Sequence, residues 1–239
     1  MLVEVCANSL QSALNAEAAG ADRIELCAEL GVGGITPSHG LIKSVKERVK
    51  IPVHVLLRPR SGHFTYTEAE FEVLLQDLEL CKSMKVEGIV SGVLNADFSL
   101  DVERTQQLVE AASPMHFTFH RAFDWVKSPM QTLRQLETIG IDTLLTSGQE
   151  TTAELGLELL QQLHNATTKT MVMAGGGIHV QNVGQFKKIG LHALHLSGTS
   201  FANALVLEGK ISMNAKQHLR ENEIAVTNEA MIRQIVEKV

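Results

Sequence analysis

The sequence predicts an α/β fold, a closed (β/α)8 TIM barrel formed as a single domain, with a C-terminal helical extension. Three observations predict it. Eight short β-rich runs alternate with segments of helical periodicity, and their starts lie 21 to 35 residues apart. Glycine stands just before a run in Gly20-Ala21-Asp22-Arg23, Gly140-Ile141-Asp142-Thr143 and Gly190-Leu191-His192-Ala193, a weak internal repeat in which it can cap the preceding helix. The chain has 239 residues with 44% hydrophobic content, the size at which such a barrel folds around one large core. Right-handed βα units repeated eight times close on themselves, whereas a doubly wound sheet would carry a nucleotide fingerprint after its first strand.

In chain order the runs are Leu2 to Cys6, Arg23 to Cys27, Val53 to Arg58, Gly88 to Ser91, His116 to His120, Thr143 to Ser147, Thr170 to Ala174 and Ala193 to Ser197. Among the intervening helical segments, Phe71 to Cys81 places Leu74, Leu75, Leu78 and Cys81 on one face, so Cys81 reads as a packing residue. Residues 1–200 are expected to form the barrel and 201–239 the extension. Within the extension, Thr227-Asn228-Glu229-Ala230 resembles a helix start, and Met231, Ile232, Ile235 and Val236 follow as an apolar face. Such a tail would pack across the barrel or against a partner subunit.

The net charge is -6 and the 21 Lys and Arg are scattered, which argues against nucleic acid or an anionic membrane surface as partner. Apolar runs stay well short of the roughly 18 residues of a membrane span, and Met1 to Val5 enters a strand with no basic region ahead of it. A cytoplasmic location is expected. Cys6, Cys27 and Cys81 are too few and too far apart for a disulfide framework.

Strand alternation puts Glu4 and Cys6 on one face of the first run, Val3 and Val5 on the other; the second run repeats this with Glu25 and Cys27 against Ile24 and Leu26. With the apolar set under the helices, the Glu and Cys pairs point into the barrel. Neighbouring parallel strands lie about 4.8 Å apart, so the two sulfurs can meet if the register is matched. Two thiolates there suit a soft ion such as Cu(I), or simply fill space. The third and fifth runs add His54 and Arg58, His116 and His120 at matching parity. Inward charges are costly to bury unless paired or used, which makes Glu25, Arg58 and His120 candidate catalytic residues. In Phe119-His120-Arg121-Ala122-Phe123-Asp124, His120 could be a general acid or base oriented by Asp124; alternatively Arg121 and Asp124 form a loop-closing pair. Gly175, Gly176 and Gly177 follow the seventh run and Ser197 ends the eighth, the places where barrels hold phosphate on backbone N–H groups. Arg60 and Thr146-Ser147-Gly148 could complete an anion pocket.

Together Glu4-Val5-Cys6, Arg23-Ile24-Glu25-Leu26-Cys27, Gly33-Gly34-Ile35-Thr36-Pro37-Ser38, Leu57-Arg58-Pro59-Arg60, Phe119 to Asp124, Thr146-Ser147-Gly148 and Gly175-Gly176-Gly177-Ile178 resemble the CutC family over nearly the whole barrel. The resemblance implies a cytoplasmic (β/α)8 barrel, a homodimer or higher homo-oligomer, implicated in copper homeostasis with Cys6 and Cys27 as Cu(I) ligands. The first reading is a Cu(I)-binding barrel; the alternative is an enzyme acting on a small anionic or phosphorylated metabolite, with a Glu/His/Arg site at the C-terminal mouth. A scaffold without chemistry fits the inward charges least, and no organic cofactor is indicated.

Overall fold

Strand β1 (Leu2–Ala7) pairs in parallel with β2 (Arg23–Leu26), and the ladder runs on through β3 (Val53–Leu56), β4 (Gly88–Ser91), β5 (His116–Phe119), β6 (Thr143–Thr146), β7 (Met171–Gly175) and β8 (Ala193–Leu196). β8 pairs back with β1, closing the eight-stranded parallel barrel that the alternation of runs predicts. The structure is a computed structural model and describes residues 1–202, 204–211 and 224–239. Five of the eight predicted runs extend past the observed ladders, leaving Cys27, Arg58, His120, Ser147 and Ser197 beyond the strand ends. At the C-terminal rim the chain turns into its loops, so these residues sit where barrel sites are built.

Local sequence sets the helix starts. Ser9 caps α1 (Leu10–Ala18), Ser38 caps α2 (His39–Arg48), and Thr67 with Glu70 forms a capping box on α3 (Glu68–Ser83). Asp101 caps α4 (Val102–Ala112), and Pro129 opens α5 (Pro129–Ile139), where its missing N–H costs nothing. After α5, Gly140 takes φ 93°, a left-handed conformation that glycine adopts without strain. α6 (Leu157–Ala166) and α7 (Val183–Lys188) follow in turn. On α3, Leu74, Leu78 and Cys81 are buried.

The main core lies between sheet and helices, where Val3, Val5, Ile24, Leu26, Val53 and Val55 pack against helix residues such as Ala13, Ala16 and Val45. The other strand face lines the barrel interior. Cys6, Cys27, Leu56 and Val90 cluster on one side, while Leu145, Met173 and Ala193 cluster on another. Glu4, Arg23, His54 and Thr118 are buried polar residues of the barrel strands. At Gly88 an added Cβ would come within 2.6 Å of the His54 ring, so the absence of a side chain there makes room for the imidazole.

The extension is not helical throughout. Thr199–Ala202 (β9) and Ile224–Thr227 (β10) form an antiparallel pair before α8 (Glu229–Val236). Ile224, Val226 and Thr227 are β-branched, which favours a strand there. Residues 203 and 212–223 of the extension lie outside the described residues. α8 packs against α1 with Ile232 and Ile235 buried, while Arg233 donates to the Ala18 carbonyl and Asn15 to that of Thr227. It thus completes the outer helical ring. Among the described residues no helix is long and apolar enough to cross a membrane.

Candidate functional site

Three strands build the floor of the site. Cys6 on β1 is level with Glu25 on β2, and Glu4, one step lower, is level with both Arg23 and His195. Glu4 is fully buried; one carboxylate oxygen accepts from Arg23 Nε at 2.5 Å, the other lies 2.7 Å from His195 Nδ1. Burial alone would raise its pKa, but the His195 hydrogen bond and the Arg23 charge win and hold it at about 2. For His195 burial works the other way, yet the charge of Glu25 and the bond to Glu4 leave its pKa raised.

Glu25 Oε1 accepts from the Cys6 thiol at 3.4 Å, while buried Oε2 has no hydrogen-bond partner among the described residues. Burial raises the Glu25 pKa against the pull of His195. The Cys6 and Cys27 sulfurs lie 3.5 Å apart. Hydrogen bonding to Cys27 and burial push the Cys6 thiol well above the ordinary thiol range. Cys27 is the deeper of the two, packed behind Cys6 with Leu56 and Val90.

Above this floor opens a cavity of about 390 Å³. Cys6, Glu25 and His195 line its base; Arg58, Phe64 and His120 line one side; Arg121, Gly176, Gly177, Ser197 and Gly198 line another. Of the residues singled out in the sequence, the cavity therefore gathers Cys6, Glu25, Arg58, His120, Gly176, Gly177 and Ser197. Cys27, Asp124 and Gly175 are not among its lining residues.

Arg58 spends most of its donors on structure. Nη1 bonds the carbonyls of Val32 and Gly34 and Nη2 that of Gly62, lacing the loops after β2 and β3 together. Its Nε is buried and unpartnered, and no carboxylate pairs with it among the described residues. His120 Nδ1 accepts from the Ala122 N–H at 3.2 Å, so Ala122 rather than Asp124 orients the ring. Burial and the Arg58 charge drop the His120 pKa to about 3. The neutral ring then carries its proton on buried, unpartnered Nε2.

Asp124 instead ties loops together: it takes Arg121 Nε at 2.7 Å and the Ser147 N–H and hydroxyl, besides Thr146. The Arg121–Asp124 pair foreseen as the alternative is present, and it does more than close a loop. With Nε on Asp124 and Nη2 on Ser147, Arg121 is steered so that Nη1 would lie 3.2 Å from a Cβ placed on Gly176. Gly176 itself adopts φ 109°. Gly175 faces Leu145, whose Cδ1 would be 2.6 Å from an added Cβ. Arg60 is engaged by Glu70 and does not line the cavity.

Sequence reasoning passed over His195. Its parity matches that of Ser197, but only closure of β8 on β1 brings it beside Glu4 and Glu25.

A model of the CutC family matches residues 1–200. The chain belongs to the CutC family. A CutC family protein of Edwardsiella ictaluri is 47% identical over 197 residues, covering 82% of this chain and 78% of the relative. One of Serratia proteamaculans is 43% identical over 195 residues, covering 82% and 77%. The crystal structure of the Streptococcus agalactiae CutC protein superposes with a TM-score of 0.78 at 28% identity, covering 82% of this chain and 98% of that one. In this CutC family member the matched span supplies the whole cavity floor, whereas Met231 on α8 contributes to the wall from beyond it.

Proposed function

We propose that the mouth of this CutC barrel binds a small anionic metabolite, a phosphorylated one included, and transfers a proton on it. The observation that carries this reading is one cavity that unites Arg58, His120 and the Gly176-Gly177 loop over Glu25 and His195. Arg121 and the backbone N–H groups of Gly176 and Gly177, which make no hydrogen bond among the described residues, are the anion holders. His120 Nε2–H donates to an oxygen of the bound molecule, and Arg58 supplies positive charge. Glu25, its pKa raised by burial, takes or gives the proton. Free Cys6 and Cys27 thiols fit a cytoplasmic location, and a homo-oligomer is part of the same proposal.

Inorganic phosphate is the probe. At ten times its Kd it is expected to stabilise the fold by about 1.4 kcal/mol, a Tm rise of about 3–6 °C. Arg121→Met should remove most of that rise. A Tm unmoved by phosphate, pyrophosphate and small phosphomonoesters, or a rise that survives Arg121→Met, sinks the reading.

The 3.5 Å separation of the Cys6 and Cys27 sulfurs favours a second reading, Cu(I) held between the Cys6 thiolate at the cavity floor and the Cys27 thiolate packed behind it. The Streptococcus agalactiae relative carries a provisional assignment to copper homeostasis, which agrees with it. In anaerobic competition against a chromogenic Cu(I) chelator, stoichiometric binding is expected, and either Cys6→Ser or Cys27→Ser should abolish it. Binding that survives both substitutions rules out this pair as the site.

A further inference from the structure

Cys6, Glu25 and His195 reach the cavity floor from three different strands. A thiol sulfur, a carboxylate oxygen and a ring nitrogen of the three lie within 4.8 Å of one another. Ligand atoms about 2.0–2.3 Å from a tetrahedral ion stand roughly 3.3–3.8 Å apart, so the set closes around one ion with side-chain shifts of about 1 Å. We propose that Cys6, Glu25 and His195 form a mononuclear site for a divalent cation of borderline softness, Zn²⁺ foremost, with its remaining coordination position open to the cavity.

Two independent features support the site. Glu25 Oε2 is a buried acceptor with no hydrogen bond among the described residues, its nearest charged neighbour being His195 Nδ1 at 4.0 Å, a costly arrangement that a cation would relieve. His195 is braced as metal-bound histidines are: Nδ1 is tied to the Glu4 carboxylate, which Arg23 in turn fixes, so ring orientation is set before any ion arrives. Nε2, with no hydrogen-bond partner among the described residues, is the ring nitrogen we assign to the ion, while Nδ1 stands 4.0 Å from Glu25 Oε2. One thiolate, one imidazole and one carboxylate, with a fourth position free, is the ligand count of catalytic rather than structural zinc sites. Binding converts the Cys6 thiol to a zinc-bound thiolate and releases its proton to solvent. Cys27 stays outside the set, since it lies behind Cys6 and does not line the cavity. A bound ion would polarise an oxygen of the metabolite or activate water.

The inference goes beyond the anion reading and does not depend on it, because phosphate stabilisation of the metal-free chain is measured separately. Co²⁺ is the spectroscopic probe, added anaerobically to chelator-treated full-length protein in a phosphate-free buffer. Expected are visible ligand-field bands and a near-ultraviolet thiolate charge-transfer band that saturate at one ion per chain and are bleached by Zn²⁺. Cys6→Ser should remove the charge-transfer band; Glu25→Gln and His195→Asn should each weaken binding at least about tenfold. Cys27→Ser should keep both bands. No bands in the wild type, a charge-transfer band that survives Cys6→Ser, unchanged affinity in Glu25→Gln, or loss of both bands in Cys27→Ser overturns the site. The near-isosteric Glu25→Gln variant decides if His195→Asn fails to fold, as judged by circular dichroism.

Discussion

Glu4→Ala is expected to lower the stability of the barrel by about 3–5 kcal/mol, the cost of stranding one partner of a buried ion pair. Arg23 and Glu4 are almost completely removed from solvent, with side-chain exposures of 6% and 0%, so neither water nor salt screens the loss. The substitution also takes the anchor from His195 Nδ1 and leaves a void between β1, β2 and β8. Urea denaturation gives the magnitude, and a cycle with Arg23→Met gives the cause. If the unpaired guanidinium dominates, the double variant will be clearly more stable than the sum of the two single losses. Additive losses, or a Glu4→Ala penalty below about 1 kcal/mol, would show that the pair is not what holds the lower barrel together.

Acid should unfold this protein early. His54 and His120 both have pKa values near 3 against an ordinary 6.5. Burial is the main cause in each, reinforced by the charge of Arg23 near His54 and of Arg58 near His120. The folded barrel keeps both rings neutral while the unfolded chain protonates them below about pH 6.5. Their contribution is therefore fully kept above that pH and is lost on acidification toward pH 3, by at most about 1.4 kcal/mol per pH unit for each ring. His195, with its raised pKa, acts in the opposite sense, adding stability below its unfolded pKa and losing it as pH rises through its folded value. Glu4, held at about 2, keeps its contribution down to about pH 4.5 and gives it up between there and pH 2. His116, its pKa also lowered by burial, adds to the loss; urea-derived stability should fall by about 2–4 kcal/mol from pH 7 to pH 5, and His120→Gln should remove a substantial part of that fall. A flat profile between those pH values contradicts it.

Much of the fold was legible because a barrel writes its architecture in two periods. Val3 and Val5 against Glu4 and Cys6, then Ile24 and Leu26 against Glu25 and Cys27, show which face meets the helices. Glycines at 20, 140 and 190 mark turns with positive φ. Parity also placed Arg58 and His120 at the mouth, since a strand of known direction fixes which end its last inward residue occupies. What parity does not encode is who stands beside whom around the ring. His195 becomes a neighbour of Glu4 only through closure. Asp124 looked like a partner for His120 because it lies in the loop that follows the strand His120 ends, yet the chain turns at Arg121–Trp125 and delivers the carboxylate to β6. The depth of Cys27 was equally hidden: an inward strand position can face the cavity or lie packed behind it, and here Leu56 and Val90 enclose it.

The link between Glu4 and His195 joins positions 191 residues apart. During synthesis Glu4 can meet Arg23 as soon as β2 emerges, since only 19 residues separate them, and its charge is then matched early. Cys6 and Glu25 come together at the same stage. His195 arrives only once β8 has left the ribosome and closed on β1, and Met231 arrives later still. A chain that stops before β8 therefore carries the thiol and the carboxylate without the imidazole, so the floor is complete only when the barrel closes.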